Sequence, residues 1–415
     1  MKILFLGSCS SFFLVPLAKA LRAENPSISL GVYGLNKPAG ELNSDDKAPF
    51  DQVIPPIQGK LASSKKERLK AVWSLVKRNK EEGAFFEAAL SGKLKAFITQ
   101  KETELTEISV QEQIASISEN YDLVQVHYLK ERNLKLVEKV APHRLLLSFW
   151  GSDLMQDEAP QLTQKKKELL ESCAGISIHG ADLAFVACVK YGWNLRSKFS
   201  FALFPLNQAI FDGLDRFSQD DGKQFLKAFG AFDQSKRLVA MGYNAHPRFQ
   251  HKAIIEHIST LDDGLMAQLH FVFTFAYGSA TEEQKEIINC LEKHHCSYTV
   301  IDRYLEDEEV ALLRKACDVF MFLTDSDAFS GTMIEYLYAG AQVITGTWLP
   351  FGKLRRAGID FTEVEDVLDL NSSDLLHSRL SENQLIRVKA LISSSAPGKH
   401  WLAMYQKIIR QQQQA

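Results

Sequence analysis

Short, uninterrupted apolar runs punctuate the chain, separated by longer stretches in which apolar residues return every three or four positions. Residues 2–7, Ile28–Tyr33, Asp51–Ile57, Tyr121–His127, Leu145–Phe149, Ile176–His179 and Lys198–Leu206 read as strands of a first series. Arg237–Gly242, Leu269–Phe275, Tyr298–Ile301, Val319–Leu323 and the run through Val343 and Ile344 form a second series. Most of the runs are continuous rather than alternating, as expected of strands buried on both faces of a parallel sheet. Between them the periodicity predicts helices ending near Glu24, spanning Leu61 to about Lys80, Asp220 to Phe229, Glu282 to His295 and Asp307 to Ala316, and a last one from Lys399 to about Arg410. Regular alternation of this kind is the pattern of a doubly wound α/β fold, here in two copies divided after Pro205 and Leu206. The division gives domains 1–206 and 207–398, with a final helical segment 399–415. The segment from about residue 80 to Asn120 is helical and charged, with no further order legible.

In open α/β sheets, ligands gather where strands end. The first strand ends in Gly7 and Ser8, whose backbone amides either approach an anion or form a plain tight turn; a full G-x-G-x-x-G is absent. Three further strands end in His127, in Trp150-Gly-Ser-Asp153 and in His179-Gly180. In the second series, Tyr243-Asn-Ala-His-Pro-Arg-Phe-Gln-His-Lys252 follows the first strand and offers Asn244, Arg248, His251 and Lys252, while Arg303-Tyr304-Leu305 follows the third. The most informative stretch comes after Val319–Leu323: Asp325-Ser-Asp-Ala-Phe-Ser-Gly-Thr-Met-Ile-Glu335, opening a helix near Phe329 that closes at Gly340. Ser330, Gly331 and Thr332 occupy its first turn, where unpaired N–H groups attract anions. Asp327 and Glu335, eight residues apart, flank that turn, so both carboxylates can face one ligand. Hydroxyl-binding acids around an anion-binding helix tip suit a sugar joined to a nucleotide through a diphosphate. Taken singly, Asp327 reads equally well as an N-cap and Glu335 as a surface acid.

These motifs resemble retaining glycosyltransferases of the GT-B fold, above all the large family-4 group and its relatives in bacterial polysaccharide and lipid-linked-sugar biosynthesis. The likeness is carried by residues 1–30, 121–153 and 237–345, with Asp327 where relatives usually have Glu and Trp150 where many have His. It implies two Rossmann-like, doubly wound domains facing across a cleft, with the final helix packed back on the amino-terminal, acceptor-side domain. It further implies that Asp327 contacts donor-sugar hydroxyls, Phe329–Thr332 the diphosphate and sugar, and Glu335 the ribose. Arg248 and Lys252 would offset the diphosphate charge, with Asn244 and His251 lining the same turn, Gly7 and Ser8 near the phosphates and Tyr304 at the base. Asp153 is implied as an acceptor-side carboxylate, or else it caps the next helix. The reaction implied moves a sugar from a nucleoside-diphosphate sugar to a hydroxyl of a glycan, lipid-linked or protein acceptor, with retention and with no metal or cofactor. Asp325-Ser-Asp327 has a D-x-D form, but its strand-loop-helix setting places it at donor hydroxyls. A nucleotide-sugar epimerase, a glycan phosphorylase and a non-catalytic nucleotide-sugar-binding scaffold are the alternatives on the same fold; no pyridoxal-phosphate lysine motif stands out.

Composition narrows the picture. A chain of 415 residues with net charge −3 lacks the basic excess of a dedicated nucleic-acid binder. Its six cysteines include no C-x-x-C pair, so neither a zinc site nor a disulfide framework is expected, and a reducing, cytoplasmic setting fits. The apolar run at the amino terminus is too short for a signal peptide. In the 61–80 helix, Leu69, Val72, Trp73 and Val76 share a face ringed by seven Lys and Arg residues (Lys65, Lys66, Arg68, Lys70, Lys77, Arg78, Lys80). Such a helix either packs on the core with a solvated back or makes peripheral contact with an anionic membrane face.

Overall fold

The computed structural model describes the chain except residues 8, 38–40, 58–63, 263, 276–280, 394–395 and 415. Two all-parallel sheets account for every named strand. The first holds β1 (Lys2–Gly7), β2 (Ser29–Tyr33), β3 (Gln52–Ile54), β4 (Leu123–His127), β5 (Leu145–Ser148), β6 (Gly175–Ile178) and β7 (Phe199–Phe201), in the order β3-β2-β1-β4-β5-β6-β7. The second holds β8 (Arg237–Met241), β9 (Leu269–Thr274), β10 (Tyr298–Ile301), β11 (Val319–Phe322), β12 (Gln342–Gly346) and β13 (Thr362–Val364), in the order β10-β9-β8-β11-β12-β13. Each sheet therefore starts at its centre, winds one way, then returns to wind the other. The crevice this reversal opens lies between β1 and β4 in one lobe and between β8 and β11 in the other.

The apolar runs form these strands because both faces of each sheet are covered. Leu4, Leu6, Val124, Val126 and Leu147 face one apolar layer of the first lobe, and Ile3, Phe5, Leu30, Leu123 and Leu146 face the other. The second sheet is sandwiched in the same way, by Leu238, Ala240, Phe320 and Phe322 on one side and Val239, Met241, Phe271 and Phe273 on the other. Strand β13 and the helices Ser372–Leu376 and Glu382–Ser393 have no counterpart among the sequence expectations.

The last helix runs Pro397–Gln414 and lies on the first lobe. Trp401, Met404, Tyr405 and Ile408 are buried against Ile3, Phe5 and Leu146. The Trp401 indole donates to the Leu203 carbonyl at 2.9 Å, and the Tyr405 hydroxyl donates to Gln125 at 2.5 Å. The terminal glutamines, expected to fray, stay helical through Gln414, and Gln412 donates to the His143 carbonyl.

Three helices, Lys65–Arg78, Glu82–Leu90 and Leu94–Ser118, fill the segment between β3 and β4. The first turns Val72, Leu75 and Val76 inward and packs Trp73 edge-on against Phe85 at 5.1 Å, with Lys77 over the indole. Residues 61–63 of the expected helix lie outside the described residues. Among the described residues, no helix is long and apolar enough to cross a membrane.

Candidate functional site

The helix after β11 sets the centre of the site. Ser330 is its N-cap, extended at φ −70°, and its hydroxyl accepts the Met333 N–H at 3.1 Å. The helix runs Gly331–Ala339 and stops at Gly340, whose φ of +87° places it in the left-handed region that glycine tolerates. The first-turn amides of Gly331 and Thr332 have no intrahelical acceptor, so they aim their N–H dipoles out of the tip. Thr332, Gly331 and Phe329 are partly exposed, as is Asp327 just ahead of them. Asp327 accepts the Ala328 N–H at 2.6 Å. Burial pushes its carboxyl up to about 6, against the opposing pull of the Ala328 N–H, the Arg248 charge and the Ser330 hydroxyl.

The loop after β8 lies against this tip. Gly242 turns it with φ +57°, and a Cβ there would meet the rings of His251 and Phe249 at 3.0 Å. Arg248 donates to the Tyr243 hydroxyl at 2.7 Å and lies over the Phe249 and Tyr243 rings. Its Nε is buried with no hydrogen-bond partner among the described residues. The Arg248 carbonyl accepts the Asp325 N–H at 3.1 Å, which ties the two strand-end loops together.

Three expected neighbours of Arg248 take other roles. Asn244 is 7% exposed, with its side chain accepting the His246 N–H at 2.9 Å and its carbonyl hydrogen-bonded to His251 Nε2 at 2.8 Å. Both residues shape the turn from inside. Burial lowers His251 to about 4, so the ring is neutral at pH 7. Lys252 begins the helix His251–Ile258 and pairs with Glu286 and Glu283 of the neighbouring helix, so its charge is already countered. Between Arg248 and Lys252 lie the rest of the 3-10 turn Pro247–Phe249 and left-handed Gln250.

Glu335 also departs from expectation. It is 8% exposed and accepts from Arg314 Nε at 3.1 Å, while Arg314 also donates to the Tyr336 hydroxyl. Because the helix begins only at Gly331, the register turns Glu335 toward the helix Asp307–Ala316 that carries Arg314. The acid expected at the ribose is thus held in a buried ion pair.

On the first lobe, Gly7 has φ +99°, and a Cβ there would stand 2.5 Å from the His127 carbonyl. Close packing therefore requires this glycine; Ser8 lies outside the described residues. Asp153 is 1% exposed, and its two oxygens accept the N–H groups of Leu129, Trp150 and Gly151 at 2.7, 2.9 and 2.9 Å. With its carboxylate so occupied, it shapes the Trp150–Ser152 loop. Trp150 donates to His127 Nδ1 at 3.3 Å and packs on Phe13 and Phe204. Burial lowers His127 to about 3 and His179 to about 4, leaving both neutral at pH 7.

The lobes meet at these loops. Gly151 has φ +121°, and a Cβ on it would lie 2.8 Å from the Ala328 nitrogen, directly after Asp327. Tyr304, expected at the base, is 40% exposed and stacks on Phe12 of the first lobe with centroids 6.3 Å apart. Sequence reasoning missed Lys353. This residue is half-buried, lies over the Phe329 ring at 5.7 Å, and has no hydrogen-bond or ion-pair partner among the described residues. Its place just past the Trp348–Phe351 loop at the end of β12 was the available signal. It lines an interlobe cavity of about 240 Å³ together with His179, Leu203 and His400.

No family model and no curated protein matches the sequence. Solved structures do. A glycosyltransferase from Rickettsia africae superposes with TM-score 0.64 at 10% identity over 98% of each chain. Anabaena HepE, in complex with UDP and glucose, gives 0.59 at 12% identity over 100% of each. The trehalose-6-phosphate synthase OtsA gives 0.61 at 10% identity over 99% of each. At these identities the likeness establishes the fold, which is GT-B.

Proposed function

We propose that the chain is a glycosyltransferase that moves a sugar from a nucleoside-diphosphate sugar to an acceptor hydroxyl, with retention and without a metal in the reaction. The observation that carries this reading is the convergence of Asp327, Arg248 and the free tip of the Gly331–Ala339 helix in the second lobe's crevice, facing Gly151 of the first. A helix tip and an arginine bind a diphosphate, and a partly exposed carboxylate binds sugar hydroxyls. The complexes of Anabaena HepE with UDP and glucose and with UDP-glucose support a nucleotide-sugar donor in this architecture.

In the proposed reaction the bond from the anomeric carbon to the diphosphate oxygen breaks, leaving charge on the diphosphate. The guanidinium of Arg248, the Gly331 and Thr332 amides and the ammonium of Lys353 stabilise that charge as it develops. The acceptor oxygen attacks from the same face, forms the new bond and passes its proton to the departing phosphate oxygen. No side-chain nucleophile is required, so the protein acts by positioning and electrostatics. The neutral, aromatic-lined ends of β4, β5 and β6 form the acceptor side. The acceptor class is a glycan, a lipid-linked sugar or a protein of the kind modified in bacterial polysaccharide synthesis.

A panel of nucleotide sugars screened by thermal shift tests the reading. One donor should raise the melting temperature in a concentration-dependent way. That donor should then yield a product whose anomeric configuration matches its own. Consumption of the donor to an epimer without any acceptor, or no stabilisation by any member of the panel, would overturn it.

A further inference from the structure

Away from the cleft, two parallel helices of the second lobe bring together three side chains of different chemistry. Glu256 belongs to the helix His251–Ile258; Cys290 lies on the helix Thr281–Lys293, and His294 is the residue directly after it. The ligand atoms of these three residues all lie within 4.8 Å of one another. Cys290 and His294 are four positions apart, and the His294 N–H donates to the Cys290 carbonyl at 3.2 Å, so helical geometry puts thiol and imidazole on one face. His294 Nε2 is shut off from solvent and has no hydrogen-bond partner among the described residues. A buried imidazole nitrogen beside a buried thiol and a reachable carboxylate is a mixed N, S, O donor set.

We propose that Cys290, His294 and Glu256 bind a thiophilic divalent cation, zinc above all, which clips the helix His251–Ile258 to the helix Thr281–Lys293. Tetrahedral zinc with bonds of about 2.0–2.3 Å places its donors about 3.5 Å apart, against a present spacing of up to 4.8 Å. Thiolate and imidazole select zinc over magnesium or calcium, which prefer all-oxygen shells. Binding expels the Cys290 thiol proton to solvent and replaces the exposed Lys293–Glu256 pair, 4.0 Å apart, with a metal–carboxylate bond. Water, or the Cys296 thiol two residues beyond His294 and outside this group of three, fills the fourth position. Cysteine spacing alone does not display this arrangement, because one of its three members comes from a second helix.

The 415-residue chain, untagged, reduced and metal-free, titrated with cobalt(II) and then zinc, tests the site. One equivalent of cobalt should produce a thiolate-to-metal charge-transfer band with the visible intensity of a four-coordinate ion. Zinc should bleach both and raise the melting temperature. Cys290→Ser should abolish the charge-transfer band, and His294→Gln and Glu256→Gln should each weaken cobalt binding by about tenfold or more. Cys296→Ser decides the fourth position: a weakened band assigns it to that thiol, an unchanged one to water. Absence of a thiolate band, or a band that survives Cys290→Ser, overturns the proposal. Should Cys290→Ser fail to fold, the exposed Glu256→Gln carries the test, and cobalt affinity unchanged there sinks it equally.

Discussion

In the first lobe, the loops after β4, β5 and β6 bring His127, Trp150 and His179 to the crevice, packed among Phe13 and Phe204 and uncharged at pH 7. In the second lobe, the loops after β8 and β11 bring Arg248, Asp327 and the helix tip capped by Ser330 to the matching place. Both sheets share the order of a strand pair wound outward from the centre and then reversed, so both have a crevice at the same topological point. The backbone plan therefore supplies two facing pockets, and a handful of strand-end residues decides that one is polar and charged while the other is aromatic and neutral. The acids show the same contrast. Asp153 spends its oxygens on three backbone N–H groups, whereas Asp327 spends one bond on its own loop and keeps partial exposure.

That contrast can be broken at graded cost. The largest effect is expected from Glu335→Ala, which leaves Arg314 buried without its carboxylate. Breaking such a pair costs about 3–5 kcal/mol. Chemical denaturation should show the loss, and Glu335→Ala should fail the fold before it reports on any donor. Asp327→Asn should separate stability from activity. Turnover should fall about 10²-fold, the scale of removing one transition-state contact. Folded Asp327 holds its proton more tightly than the unfolded chain does. Wild-type stability should therefore fall as pH rises from about 4 to about 6 and level off above. The shift from 3.8 to about 6 corresponds to at most about 3 kcal/mol. The asparagine variant should thus melt higher than wild type at pH 7 and equally at pH 4; a lower melting point at pH 7 would remove Asp327 from the site.

Gly151→Ala comes next. Its φ of +121° and the 2.8 Å approach to the Ala328 nitrogen predict a loss of about 1–3 kcal/mol, together with weaker donor binding if the lobes are forced apart. A melt and a donor titration read the two parts. The smallest effect belongs to Lys252→Ala, which removes a surface pair worth less than about 1 kcal/mol and should leave turnover unchanged. A drop in turnover there would return Lys252 to the diphosphate and sharpen the case against Lys353.

Much of the fold could be read along the chain, because buried parallel strands announce themselves as unbroken apolar runs: Leu238–Met241 and Val319–Phe322 lie where the pattern placed them. The helix after β11 was visible too, though the sequence pattern opens it near Phe329 with Ser330 in its first turn, whereas it begins at Gly331 and Ser330 caps it. Orientation was another matter. Arg248 and Lys252 stand four positions apart, with left-handed Gln250 between them, yet one faces the tip and the other two surface glutamates. Glu335 kept its spacing from Asp327 and still turned to Arg314, a residue of another helix. Asp153, Lys353 and the Glu256–Cys290–His294 cluster likewise draw their meaning from partners distant in the chain.

Local composition by itself determined where most strands lie and which loops follow them, since hydrophobic burial acts over a few residues. Only the tertiary structure decided which charges are spent on the protein and which stay open to a ligand, because that depends on distances between side chains that folding alone brings together.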